Sequence, residues 1–342
     1  MKSFNAGFAL LRIWMSFEVV LCHFWRIGDS TEPGLLFLRR MESNAVPVFM
    51  LMSFFLAAEK FAKDDSKWLA RRFLRIGVPF VVWSVVTWLG IKAGSLFTDS
   101  ARFQVSLSDL GWELVLGCSP KICPQFWFQV ALLVMTAVVA VAMRVARPAR
   151  AVAVAVGALL ASFFLQYTGL VGSLFDNLPY EAKWTLGRLS PMLAYAGLGL
   201  LLGMARPAID RASVGVRVAT AILSAGIMAT VYFHPLVALP PGGYGYDGFE
   251  LLFEAVLLLA VFYYWPADRL PRAVVSVLRT VSTYTMGVYC MHLLLGTIVS
   301  EFILPSLGIA EKSMSCAVFV YCLSWAACLL LAKIPHVERL VK

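Results

Sequence analysis

The stretch Arg12-Ile-Trp-Met-Ser-Phe-Glu18-Val-Val-Leu-Cys22-His23 decides what kind of fold this chain adopts. It lies inside a segment apolar enough to cross a bilayer, yet it carries an arginine, a glutamate and a histidine. A charge at membrane depth costs at least a few kcal/mol, so such residues usually face a protein interior and do work there. Arg12 and His23 are eleven positions apart. At about 100° per residue, eleven helical steps return to within roughly 20° of the starting face. At 1.5 Å per residue the two lie about 16 Å apart along it. They are too far apart to touch, but they are spaced to line one continuous cleft through the membrane.

The rest of the chain agrees with a helix of this kind. Of 342 residues, 60% are hydrophobic and only 14% charged, and the mean hydropathy is +0.79. A soluble chain of this length carries about 25% charged residues. The composition predicts an all-α, polytopic membrane bundle, with residues 1–342 forming a single transmembrane domain. About ten spans of roughly 20 residues read as helices, because lipid leaves the backbone no other partner. They lie near 6–27, 44–61, 76–97, 125–143, 151–171, 190–204, 217–238, 249–265, 282–304 and 314–334, with the sixth the shortest. Arg12 and Glu18 interrupt the first apolar run, which argues against a cleavable signal peptide.

The placement of basic residues sets an orientation. Alternate connections are rich in Lys and Arg: the loop holding Lys60, Lys63, Lys67, Arg71, Arg72 and Arg75, then Arg144 to Arg150, Arg206 to Arg217, Arg269 to Arg279, and the tail from Lys333. The intervening loops carry far fewer. This asymmetry predicts both termini in the cytoplasm. It also accounts for the net charge of +9 as a topogenic signal and an anchor to anionic membrane lipid, with no nucleic acid needed as partner. The long outer loop near 98–124 contains Cys118-Ser-Pro-Lys-Ile-Cys123. On the oxidising side this pair reads either as a disulfide or as two thiols. Outer-loop aromatics Trp112, Tyr180, Trp184, Tyr244 and Tyr246 suit sugar stacking or ordinary interfacial packing.

Several residues have the chemistry for a site, each with a plainer structural reading beside it. His23 titrates near neutrality and so can take a proton from a hydroxyl, or it can be glue between helices. Arg12 can hold a phosphate or carboxylate, or it can snorkel to the interface. Glu18 points about 120° away from both and reads as the helix partner of Lys92 or another buried donor. Cys22 reads as packing before it reads as an acyl-carrying thiol. Arg72 and Arg75 share one helix face and suit a phosphate group, or they serve as positive-inside anchors. Trp127 opens the fourth span, His292 is a second histidine at depth, and His234 and His336 lie near span ends. Neither metal-ligand spacing nor a phosphate loop is present in the sequence.

In combination these pieces resemble one family, the bacterial integral-membrane acyltransferase 3 proteins. Arg12 and His23 match its arginine, ten residues, histidine signature. Val46-Pro-Val-Phe-Met-Leu-Met-Ser53-Phe-Phe is similar to its second-helix stretch, and Arg72-Phe-Leu-Arg75 matches its arginine-x-x-arginine motif. Phe126-Trp127-Phe128 resembles its tryptophan-aromatic element, and Tyr284-Thr-Met-Gly-Val-Tyr-Cys-Met-His292 its late histidine segment. Ala9 stands where the family usually has aspartate, and Phe54 where it usually has glycine. The resemblance implies an O-acyltransferase, commonly an O-acetyltransferase. Its donor would be cytoplasmic acyl-CoA, usually acetyl-CoA, with no metal. The acceptor would be a hydroxyl on an envelope glycan or lipid-linked sugar. It implies that His23 is catalytic, that Arg12, Arg72 and Arg75 handle the donor, and that Ser53 and Trp127 occupy family positions. A transporter or flippase is the competing class that hydropathy alone allows.

Overall fold

The computed structural model describes residues 4–25, 33–119, 121–122, 124–146, 151–168, 177–233, 246, 249–265, 270–311 and 313–342. Its first helix, α1 (Ala6–Phe24), is unbroken across the Arg12 to His23 stretch. Asn5 caps it by accepting from the Phe8 N–H at 2.9 Å. With Leu11, Met15 and Val20 fully buried, α1 is a core element and not a peripheral anchor. All of the long elements described are helices, as the composition predicts.

In chain order they are α2 (Pro33–Ala62), α3 (Ser66–Gly94), the short α4 (Leu107–Leu116), α5 (Trp127–Ala146), α6 (Ala151–Tyr167), α7 (Tyr180–Arg211), α8 (Val214–Phe233), α9 (Phe249–Tyr264), α10 (Arg272–Thr283), α11 (Thr285–Phe302) and α12 (Met314–Leu331). Helix α1 packs against α2, α9, α10, α11 and α12, so its neighbours are drawn from both ends of the sequence.

Among the described residues, seven helices are long and apolar enough to cross a membrane: Ala6–Phe24, Ser43–Ala62, Ser66–Gly94, Pro124–Val145, Tyr180–Arg211, Thr285–Phe302 and Met314–Leu331. The other three expected spans fall on α6, α8 and α9. Apolar runs in the first two, Val152–Gln166 and Val214–Thr230, are shorter, and α9 has 16 residues.

Two expectations need correction. The sixth span, expected as the short segment 190–204, is the 32-residue α7. Its polar and basic flanks obscure the helix in a hydropathy reading. The third span, expected from 76, begins at Ser66, because Asp65 caps it by accepting from the Trp68 N–H at 2.8 Å. That hydrogen bond holds the Asp65 carboxyl below the usual carboxylate range. Arg72 and Arg75 are therefore inside the helix, not in the loop before it.

Helix α7 meets α2 through Gly199 and Gly203, four residues apart. A Cβ on either would lie 2.4 Å from a carbonyl oxygen of α2, that of Leu51 or Phe55. Small residues at this spacing let two backbones touch where lipid supplies no hydrophobic drive between helices.

Candidate active site

The site has two ends, joined by helices that pass through both. At the first end, His23 lies one residue before the last of α1, with its ring centre 5.3 Å from that of His292 on α11. His292 is fully buried. Its Nδ1 lies 2.8 Å from the Tyr289 carbonyl oxygen and 3.2 Å from that of Val288. Carbonyls only accept, which assigns the proton to Nδ1 and leaves Nε2 as a lone pair. Among the described residues that Nε2 has no hydrogen-bond partner.

His23 opens onto a cavity of about 390 Å³. Gln125, Trp127, Trp184, Arg188, Tyr246 and Tyr289 share its lining. The local fold explains how they meet. Gly117 ends α4 with φ at 65°, in the left-handed region. A Cβ there would sit 2.4 Å from the Phe126 carbonyl oxygen, so the chain doubles back onto the turn that starts α5. The Tyr289 hydroxyl donates to the Gln125 carbonyl, tying that turn to α11. Cys118 is a buried free thiol, and burial, with Glu113 adding to it, pushes it up to about 12. Cys123, which the sequence offers as a disulfide partner or a second thiol, lies outside the described residues, as do His234 and Tyr244.

Three arginines mark the second end. Arg12 donates from Nη2 to the Thr285 hydroxyl at 3.0 Å. Arg72 donates from Nε to the Thr136 hydroxyl at 3.1 Å and from Nη2 to the Ser53 hydroxyl at 2.7 Å. Its guanidinium also lies over the rings of Phe54, Trp68 and Phe61, at 5.3, 5.5 and 5.9 Å. Arg75 is exposed, and its charge is felt at both Arg12 and Arg72. None of the three pairs with a carboxylate among the described residues. Mutually repelling cations without counterions are costly unless an anion joins them.

Three helices measure the separation of the two ends. Arg12 and His23 are eleven residues apart on α1, Trp127 and Thr136 nine apart on α5, and Thr285 and His292 seven apart on α11. At 1.5 Å per residue these are about 16, 14 and 10 Å. The cavity lining includes His23 but not Arg12, Arg72 or Arg75. The continuous cleft expected between Arg12 and His23 is therefore not shown; the cavity belongs to the His23 end.

The remaining candidates divide between the ends or leave the site. Ser53 belongs with Arg72, and Trp127 with His23. Buried Glu18 accepts from the Trp14 Nε1–H at 2.6 Å, while Lys92, the named partner, is exposed. The Trp14 donor lies one turn away on the same helix. Cys22 lines the cavity, whereas Trp112 does not, and His336 lies in an exposed turn. Thr136, Thr285, Gln125 and Arg188 were not singled out from sequence. Their types are common in spans, and only tertiary contact marks them.

A family model described as an acyltransferase domain, the acyltransferase 3 model, matches residues 5–333. No curated protein and no solved structure matches the chain.

Proposed function

Because the chain belongs to the acyltransferase 3 family and is an acyltransferase, we propose that it moves an acyl group, acetyl foremost, from acyl-CoA to a glycan hydroxyl. The acceptor is a sugar of the cell envelope, free or lipid-linked. The protein lies in the bacterial inner membrane with both termini cytoplasmic, on the strength of its basic loops.

The observation that carries this reading is the two-ended site. Three arginines without carboxylate partners converge at one end, and a histidine pair meets an aromatic cavity at the other. Acyl-CoA has the matching shape. Its phosphates are too charged to enter the membrane and stay with Arg75, Arg72 and Arg12. The thin pantetheine arm runs along α1 and brings the thioester carbonyl toward His23.

His23 acts as general base. It takes the proton of the acceptor hydroxyl as that oxygen bonds to the thioester carbonyl carbon. Collapse of the tetrahedral intermediate breaks the carbon–sulfur bond, and the departing thiolate receives the proton from the imidazolium. The products are an ester and free CoA thiol. The Nε2 lone pair of His292 is unspent, with its ring centre 5.3 Å from that of His23, and on substrate binding it accepts from the second ring N–H of His23. That contact fixes the tautomer and leaves the other nitrogen toward the hydroxyl.

The experiment is transfer of labelled acetyl from acetyl-CoA to a glycan pool by the purified protein. A well-placed base contributes about 10² to 10⁴ in rate, so His23→Ala should lose measurable transfer while remaining folded. Arg72→Ala combined with Arg75→Ala should weaken acetyl-CoA binding. Normal transfer by the first variant, or undiminished affinity in the second, would overturn the assignment.

A further inference from the structure

Arg188 points to a substrate preference that the acyltransfer reading, on which it rests, leaves open. We propose that the acceptor carries an oxyanion, a carboxylate or a phosphate, and that Arg188 recognises it inside the His23 cavity.

The argument begins with charge. Among the described residues lining the cavity, Arg188 is the only Lys, Arg, Asp or Glu. It forms no ion pair with a carboxylate among the described residues. Its guanidinium lies 3.5 Å from the centre of the Trp184 ring, 5.4 Å from that of Trp127 and 5.9 Å from that of Tyr246. Stacking uses the face of the guanidinium and leaves the N–H edge available. Of its five donors, one is engaged, Nη1 to the Trp184 carbonyl at 2.9 Å. A planar fork set against aromatic rings suits a bidentate oxyanion.

A second, independent observation says that the cavity is built for a polar occupant. Gln125 is 96% buried, with 4% of its surface exposed, and lines the cavity. Both its amide oxygen and its amide nitrogen lack a hydrogen-bond partner among the described residues, and so does Trp184 Nε1. Buried polar atoms are normally satisfied, so side chains with unspent donors and acceptors stand in the cavity wall. Aromatic faces, orphaned amide groups and one open guanidinium edge together describe a site for an acidic sugar, with His23 beside it to accept the reacting hydroxyl proton.

The test is equilibrium binding by calorimetry to the detergent-solubilised full chain. Three size-matched oligosaccharides serve as probes: neutral hexose, uronate-containing and phosphorylated. Wild type should bind one or both anionic probes at least 10-fold more tightly than the neutral one. Arg188→Gln should erase that preference, a loss of about 10- to 100-fold in anionic over neutral affinity for a charge-assisted contact. Arg188→Lys keeps the charge but not the fork, and should retain part of the preference. Whichever anionic probe is preferred names the oxyanion. Equal affinity for all three probes in wild type would overturn the proposal, as would a preference that survives in Arg188→Gln. Label transfer from acetyl-CoA, scored on the same samples, judges the acyltransfer reading separately, because the binding preference does not depend on turnover.

Discussion

His292 shows what a single residue adds that sequence leaves open. Read alone, it is either glue or function. In the structure its Nδ1 is committed to two backbone carbonyls of its own helix while its ring faces His23. A purely structural histidine would spend both nitrogens on partners, and this one has spent only one. His292→Phe keeps the bulk and removes the lone pair. It should lower kcat on the order of 10²-fold, the cost of a slightly misplaced reactive group, with the KM for acetyl-CoA unchanged. A drop in thermal stability with kcat intact would make His292 packing only. Phe54 is the opposite case, a departure from the family pattern that the structure explains. Its ring stacks on Phe61 at 5.7 Å and lies under the Arg72 guanidinium. Restoring the usual glycine should therefore not improve the enzyme. Phe54→Gly removes a fully buried ring, a loss of about 3–5 kcal/mol by analogy with core Phe→Ala changes. It also loosens Arg72. Thermal melts and the KM for acetyl-CoA should both worsen, whereas an unchanged KM would separate Phe54 from the donor end.

Elements, more than residues, keep the two ends independent. The Gly117 turn serves only the cavity end, because it places Gln125 and Trp127 and is far along α5 from Thr136. Gly117→Ala meets the left-handed penalty of about 1–2 kcal/mol and a contact with the Phe126 carbonyl that something must yield to. Acceptor affinity should fall, and acetyl-CoA affinity should not; parallel losses in both would show that the ends are mechanically coupled. Sequence reading fared unevenly at this scale, for physical reasons. Helix α1 was legible because its apolar run and its eleven-residue spacing obey the helical period. The start of α3 was not, because Lys67, Arg71, Arg72 and Arg75 look like a solvated loop until Asp65 is seen capping them. The full length of α7 is not legible in the sequence, because Glu181, Lys183 and Arg188 dilute the hydropathy of its first turns. That dilution also hid Arg188, the residue with the most to say about the acceptor. Gly199 and Gly203 leave no mark in a hydropathy profile, although they set the distance between α2 and α7.

For the whole molecule, the separation of about 10–16 Å along α1, α5 and α11 has a consequence for the direction of reaction. If both substrates came from one face, a site with anion-binding and sugar-binding groups side by side would serve, and no bundle-crossing helix would need to carry both. Here the arginines and the aromatic cavity lie at different depths along the same helices, with Arg12, Thr136 and His292 well inside α1, α5 and α11. The reaction should therefore be vectorial: donor accepted only on the face that carries Arg75 and the basic loops, ester formed only on the other. Sealed proteoliposomes with one protein orientation test this. Labelled acetyl-CoA supplied on the basic-loop face, with an acceptor oligosaccharide on the opposite face, should give labelled ester across the bilayer. Exchanging the two compartments should give none above the leak rate. In a His23→Ala sample both arrangements should be silent, which separates failed chemistry from failed access. Equal product in both arrangements from wild type would mean that donor and acceptor share an entrance. The three arginines would then have to be read as anchors to anionic lipid, with the anion they await in the membrane and not on the donor.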